Sequence, residues 1–187
     1  MESSERVWRE RGLRDAVLAG DEQAWRALYA GAFDGLHAYA HWRCAGLSDL
    51  ADEVVQETWL VAVRRIRSFA PESGSFAGWL RGIAANVLRN HLRRQVHRNG
   101  RAPTGPTGTV EPADVPLQRR EEAERVARAL AELPEHYEAV LRAKYLDGQS
   151  VADIAAEVVE SPKAVESLLS RARQAFREVY ERKERAP

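Results

Sequence analysis

The sequence predicts an all-α fold made of two small helical domains joined by a flexible linker. Three observations carry that reading. Apolar residues recur at helical spacing in both halves of the chain, and no stretch shows the strict alternation of a half-buried strand. Each helical run is bounded by a capping residue or a breaker. Between the halves, Asn99 to Pro116 (NGRAPTGPTGTVEPADVP) holds four prolines and three glycines and has no periodicity. As a flexible coil, its ~18 residues span roughly 20–25 Å on average.

The elements follow in order. Asp21 is a good N-cap. After it Trp25, Leu28, Tyr29, Ala32, Leu36, Tyr39 and Ala40 form one amphipathic helix ending near Gly46. Ser48 caps a second, whose inward side is Ala51, Val54, Val55, Thr58, Ala62 and Ile66. Pro71 and Gly74 make Arg67 to Ser75 a loop. A third helix runs from about Phe76 to Val96. In the second half, a helix through Val126, Leu130 and Leu133 stops at Pro134. The next covers about Glu135 to Leu146, with Val140, Leu141 and Tyr145 inward, and Asp147-Gly148 ends it. Ser150 and Asp153 have capping-box spacing and open a short helix. Val159-Glu160 is a tight turn. Ser161 as N-cap and Pro162 at N1 open the last helix, because the missing proline N–H costs nothing there.

Short helix, tight turn and long helix together predict a helix-turn-helix in the C-terminal domain. Val165, Leu168, Leu169, Ala172 and Phe176 supply one apolar face to the last helix. Lys163, Glu166, Ser167, Ser170, Arg171, Gln174 and Arg177 lie largely elsewhere. A helix that reads duplex DNA needs this division between an anchored face and a polar face directed at base edges. The same division also occurs in ordinary helix pairs.

Charge adds a second signal through its distribution. The totals balance, 28 basic against 28 acidic residues, so net charge points to no partner. Yet Phe76 to Arg98 carries five arginines and no acid. A solvated structural helix usually mixes signs and gains i,i+4 pairs. Single-sign charge repels itself and implies a nearby polyanion. Trp79, Leu80, Ile83, Ala84, Val87 and Leu88 form a packing stripe here. Arg81, Asn86, Arg89, Asn90, Arg93, Arg94 and Arg98 supply donors, and amides and a tryptophan suit contact with unpaired bases. The preceding helix is the opposite: Asp49, Asp52, Glu53, Gln56 and Glu57 crowd one stretch. Such a face suits a basic protein partner, or simply the favourable dipole of a helix N-terminus.

Other chemistry is sparse. The single cysteine, Cys44, forbids an intrachain disulfide and fits a reducing, cytoplasmic compartment. The charged N-terminus lacks the apolar core of a secretory signal. No apolar run approaches the ~18 residues that span a bilayer. There is no nucleophile–base pair and no phosphate-cradling glycine loop, so an enzyme is not expected and no cofactor is implied. His37, His41 and Cys44 fall at i, i+4 and i+7, a spacing zinc accepts. No fourth ligand is near in sequence, and the reading carried forward has no metal.

Taken together, these motifs resemble the bacterial extracytoplasmic-function (ECF, group IV) RNA polymerase sigma factors. LADEVVQETWLVAVRRIRSF, from Leu50, is similar to their region 2.1–2.2 and FAGWLRGIAANVLRNHLRR, from Phe76, to region 2.3–2.4. LPEHYEAVLRAKYLDGQSVADIAAEVVESPKAVESLLSRARQAFREV, from Leu133, is similar to region 4. The resemblance covers about Leu13 to Arg182 apart from the linker. It implies region 2 over 1–98, a linker over 99–116 and region 4 over 117–187. Region 2 would bind the β′ clamp helices of core RNA polymerase through Asp52, Gln56 and Glu57. It would melt and read the −10 element with Trp79, Arg81, Asn86, Arg89, Asn90 and Arg93. The loop Phe69 to Ser75 is placed like the one that captures an unstacked base. Region 4 would read the −35 element with Lys163, Glu166, Ser167, Ser170, Arg171 and Arg173, and dock on the β flap. Promoter DNA and core polymerase are thus the implied partners, with room for an anti-sigma factor. The turn Val158-Val159-Glu160 lacks the glycine often found there. The other reading to be tested is a stand-alone helix-turn-helix transcriptional regulator, which would have no use for an acidic helix beside a basic one.

Overall fold

The computed structural model describes residues 2–99 and 117–184. Among them the regular structure is helical, without strands. Grouped by proximity, the chain forms two compact units. One consists of Met1–His41 with Ser48–Pro103, the other of Trp42–Leu47 with Thr104–Pro187. The expected tether falls on residues 100–116, outside the described residues, except Asn99, which closes a helix instead.

The first unit contains α1 (Glu2–Leu18), α2 (Glu22–Arg43, whose last two residues count with the second unit), α3 (Ser48–Arg65) and α4 (Phe76–Asn99). A single 3₁₀ turn, Ile66–Ser68, follows α3. Asp21 caps α2 as expected: its Oδ1 accepts from the N–H groups of Gln23 at 2.8 Å and Ala24 at 3.3 Å. The inward sides of α2 and α3 follow the expected periodicity, with Leu28, Leu36, Tyr39, Val54, Val55 and Ala62 buried, but Tyr29 departs from it: it is 41% exposed at the margin of the layer. Trp59 sits between them. Its ring lies 6.1 Å from Trp25 in an edge-on arrangement and 4.6 Å from Tyr29. Thr58 is buried too, and its hydroxyl donates to the Val54 carbonyl at 2.6 Å, the usual way a helical threonine satisfies itself. α4 lays Leu80, Ala84, Val87, Leu88 and Leu92 against this layer.

No capped apolar period in the sequence marks α1. From Ser4 onward none of its side chains is fully buried. It is therefore held by more than apolar contact.

The second unit contains α5 (Leu117–Glu132), α6 (Glu135–Tyr145), α7 (Val151–Val158) and α8 (Pro162–Glu184). Its core joins Leu130, Leu133, Val140, Leu141, Ile154, Val165, Leu169 and Ala172. The capping box of α7 is complete. Asp153 N–H donates to Ser150 Oγ at 3.1 Å, and Ser150 N–H to Asp153 Oδ2 at 3.1 Å. The hydroxyl and then the backbone N–H of Ser150 hold the Asp153 carboxyl below its ordinary range. Ser161 caps α8 by accepting from Ala164 N–H at 3.2 Å. One inward assignment is corrected: Tyr145 is 58% exposed. It is the last residue of α6, and its hydroxyl reaches across to α8.

The turn between α7 and α8 closes through Val159 in the left-handed region, φ 57° and ψ 44°. Glycine enters this region freely, whereas a β-branched residue is strained there. Val159 is 90% exposed, so its side chain returns little packing energy. Val159→Gly is therefore expected to stabilise the second unit by ~0.5–1 kcal/mol, part of the relief being offset by the greater freedom of glycine in the unfolded chain. A thermal melt checks this; a lowered midpoint would show that the valine makes a contact worth more than its strain.

Candidate functional site

Three surfaces gather the residues singled out by sequence. The first is the outward side of α3. Asp52 and Gln56 are one turn apart and both exposed. Asp52 Oδ1 lies 3.3 Å from His37 Nε2 of α2. Glu57 is turned away from them. It is half-buried against α4, where His91 Nε2 meets its Oε2 at 2.7 Å, and Glu53 approaches the other ring nitrogen at 3.7 Å. The expected acidic trio thus divides into an outward pair and a glutamate engaged within the unit. Two residues missed by sequence continue the outward pair: Leu60 and Val63 are 53% and 54% exposed. At 3.6 residues per turn, Asp52, Gln56, Leu60 and Val63 form one stripe along α3. The available signal was phase, since both apolar residues fall outside the periodicity of the core.

The second surface is α4 with the loop before it. Trp79, Asn86, Arg89, Asn90 and Arg93 share one side of the helix. Arg89 donates to Asn86 Oδ1 at 2.6 Å and Arg93 to Asn90 Oδ1 at 3.2 Å, so the amides are held in line with the guanidinium groups. No acid lies on α4, and these donors face outward without a compensating carboxylate on their own helix. Trp79 stands where the helix meets the loop, its ring 5.5 Å from Phe69 and 5.7 Å from Phe76. Arg81 departs from the group. It lies on the far side of the helix, its guanidinium 6.0 Å from the Tyr39 ring. Its Nε is buried with no hydrogen-bond partner among the described residues.

The loop itself is firmly held. Phe69 and Pro71 are buried. Ser75 caps α4 by accepting from Gly78 N–H at 3.0 Å. From α1, Glu10 Oε1 accepts the Phe76 N–H at 3.1 Å, Arg14 donates to the Phe69 carbonyl at 3.1 Å, and Arg11 pairs with Glu72. The Glu72 carboxyl is held below its usual range, first by its own backbone N–H and then by Arg11.

The third surface is α8. Lys163, Glu166, Ser167, Ser170 and Arg171 are exposed on the side opposite Val165, Leu169 and Ala172. Arg173 is exposed at the flank, and its Nε donates to Tyr145 Oη at 2.8 Å. The inverted Tyr145 thus orients an arginine of the helix-turn-helix.

The histidine–cysteine spacing does not assemble into a centre. His37 faces Asp52, and His41 Nε2 lies 3.4 Å from Ser48 Oγ. Cys44 is buried, and burial pushes its thiol up to about 12, far from the thiolate a metal requires. Among the described residues no three histidine, cysteine or carboxylate side chains converge as a metal-holding group. No helix among them is long and apolar enough to cross a membrane.

Residues 29–98 match the family model Sigma-70 region 2, and residues 123–176 match Sigma-70, region 4. The chain is 32% identical over 162 residues to the ECF RNA polymerase sigma factor SigM of Mycobacterium tuberculosis, covering 86% of this chain and 79% of that protein. It is 28% identical to the ECF RNA polymerase sigma factor BldN of Streptomyces coelicolor, covering 86% of this chain but 61% of that longer protein. Among solved structures it is similar to the sigma factor RpoE in complex with the anti-sigma factor NepR from Bartonella quintana. That likeness has 20% identity and a TM-score of 0.45, and covers 84% of this chain and 96% of that one. With Sigma-70 regions 2 and 4 matched in order and a relative 32% identical over most of both chains, the chain belongs to the ECF RNA polymerase sigma factors, which direct transcription initiation.

Proposed function

We propose that this chain is a group IV sigma factor whose region 2 spans 1–98 and whose region 4 spans 117–187, joined by a linker over 99–116. It acts in the cytoplasm, by binding rather than by catalysis. Asp52 and Gln56, extended by Leu60 and Val63, dock on the β′ clamp helices, and Glu57 supports that face from within through His91. Asn86, Arg89, Asn90 and Arg93, with Trp79 at the loop, hold the melted −10 strand. Arg81 stiffens α4 against Tyr39 and reaches the strand least directly. Lys163, Glu166, Ser167, Ser170, Arg171 and Arg173 read the −35 element, with region 4 seated on the β flap. An anti-sigma factor is the further partner, as the RpoE–NepR complex has one.

One observation carries the reading. A single compact unit bears an outward carboxylate–apolar stripe on α3 and an acid-free face of asparagine and arginine on α4. A stand-alone DNA-binding regulator needs the helix-turn-helix but not this pair. The test is gel filtration of the purified chain with bacterial core RNA polymerase at moderate salt. Co-elution is expected; a folded chain that elutes alone would favour the regulator. On duplex promoter DNA, Arg171→Ala in the holoenzyme is expected to lower the salt slope of binding by about one unit if its guanidinium meets a phosphate. An unchanged slope would remove Arg171 from the −35 contact set.

A further inference from the structure

α1 lacks a fully buried side chain from Ser4 onward, yet it makes three polar contacts to one short segment. Glu10 accepts from the first N–H of α4, Arg14 donates to the Phe69 carbonyl, and Arg11 pairs with Glu72. The three anchor points fall at the start of the Phe69–Ser75 loop, at its middle and at Phe76 immediately after it. Glu10 is itself fixed, its Oε2 accepting from Arg6 at 2.8 Å, and only 12% of its side chain is exposed. The N–H it receives is one of the four that a helix start leaves without an intrahelical partner. A loop of seven residues containing Gly74 and Pro71 would otherwise sample many conformations, at a cost in order each time it bound a ligand.

We propose that α1 is a brace for promoter melting, in which Glu10, Arg11 and Arg14 are positioning residues. They hold the Phe69–Ser75 loop in the one conformation that receives an unstacked base. The inference rests on the reading of that loop as a base-capturing one. None of the three side chains needs to touch DNA. They remove the ordering cost from the capture step, so their effect is confined to single-strand binding. Core binding through α3 and duplex contact through α8 do not depend on them.

The test uses the full chain assembled with core RNA polymerase. A promoter is first selected from a random duplex pool by transcription with the wild-type holoenzyme. The probe is then the non-template single strand of its −10 segment, with an abasic site placed at each position in turn. In the wild type, removal of the captured base is expected to weaken binding roughly tenfold at one position, since stacking of one base carries about that much. In Glu10→Ala with Arg14→Ala, the intact strand is expected to bind roughly tenfold more weakly, as for loss of a charge-assisted hydrogen bond. At the same position the abasic site then adds less than about twofold, because coupled groups are non-additive. Glu10→Gln keeps an acceptor oxygen for Phe76 and is expected to restore both values when Arg14 is intact. Should the double variant melt below the assay temperature, Glu10→Leu alone severs the Phe76 contact and carries the same expectation of lost coupling. An abasic penalty equally large in wild type and variants would overturn the brace while leaving base capture standing. No sensitive position in the wild type would overturn base capture itself, and the brace with it.

Discussion

Asp52→Ala combined with Gln56→Ala is expected to abolish co-elution with core RNA polymerase, a loss of affinity on the order of a hundredfold, at an unchanged melting temperature. Both side chains are exposed, and among the described residues Asp52 pairs with His37, itself at the surface. An exposed ion pair of this kind contributes little to folding. At an interface the same carboxylate loses water to meet a basic partner, so its removal costs much more there. Leu60→Ser tests the apolar half of the stripe. It leaves every charge in place, and its expected effect is about tenfold, in dissociation rate more than association rate. Loss of the salt dependence of association in the Asp52 variant, and its retention in Leu60→Ser, would separate the two contributions. Full co-elution of the double variant would place the polymerase contact on another surface.

Leu169→Ala is expected to cost about 2–5 kcal/mol, because a buried leucine leaves a cavity that its neighbours fill only in part. Leu169 is 2% exposed and joins α8 to the residues of α5, α6 and α7 that make up the second core. A small helical unit has only a few kcal/mol in hand. Its transition should therefore fall or vanish in calorimetry. A transition from the first unit is expected to persist. Duplex binding is lost with the fold. Ser167→Ala, on the opposite face of the same helix, is the comparison: binding falls and the melt is unchanged. A single transition that shifts as a whole in Leu169→Ala would mean that the two units unfold together.

Most helices were legible because their signals were local. Asp21, the Ser150–Asp153 box and the Ser161–Pro162 pair each satisfy N–H groups within four residues, so the chain carries its own boundaries. The apolar periods of α2, α3 and α8 reported burial at most positions, Tyr29 on α2 being the exception at 41% exposed. α1 gave no such signal. Its polar attachment is made by charged side chains on backbone groups and reaches fifty-five or more residues along the chain, from Arg14 to Phe69 and from Glu10 to Phe76. Helical periodicity cannot report a helix held by hydrogen bonds to a distant loop.

The candidate sites divide along the same line. That α4 is free of acid and that α8 has one apolar face are properties of composition and phase, and the sequence determined them alone. Which donors stand together was decided by the tertiary structure. Arg81 lies on the same basic helix as Arg89 and Arg93, yet Tyr39 of α2 draws its guanidinium away. Glu57 lies in the same acidic cluster as Asp52, yet His91 of α4 holds it. Tyr145 looks like a core residue, and its end position on α6 instead leaves it to orient Arg173. A long polar side chain has several partners within reach, and the sequence names only those on its own helix. The choice among the others depends on which neighbouring element the fold brings within 3–6 Å, which no local pattern encodes.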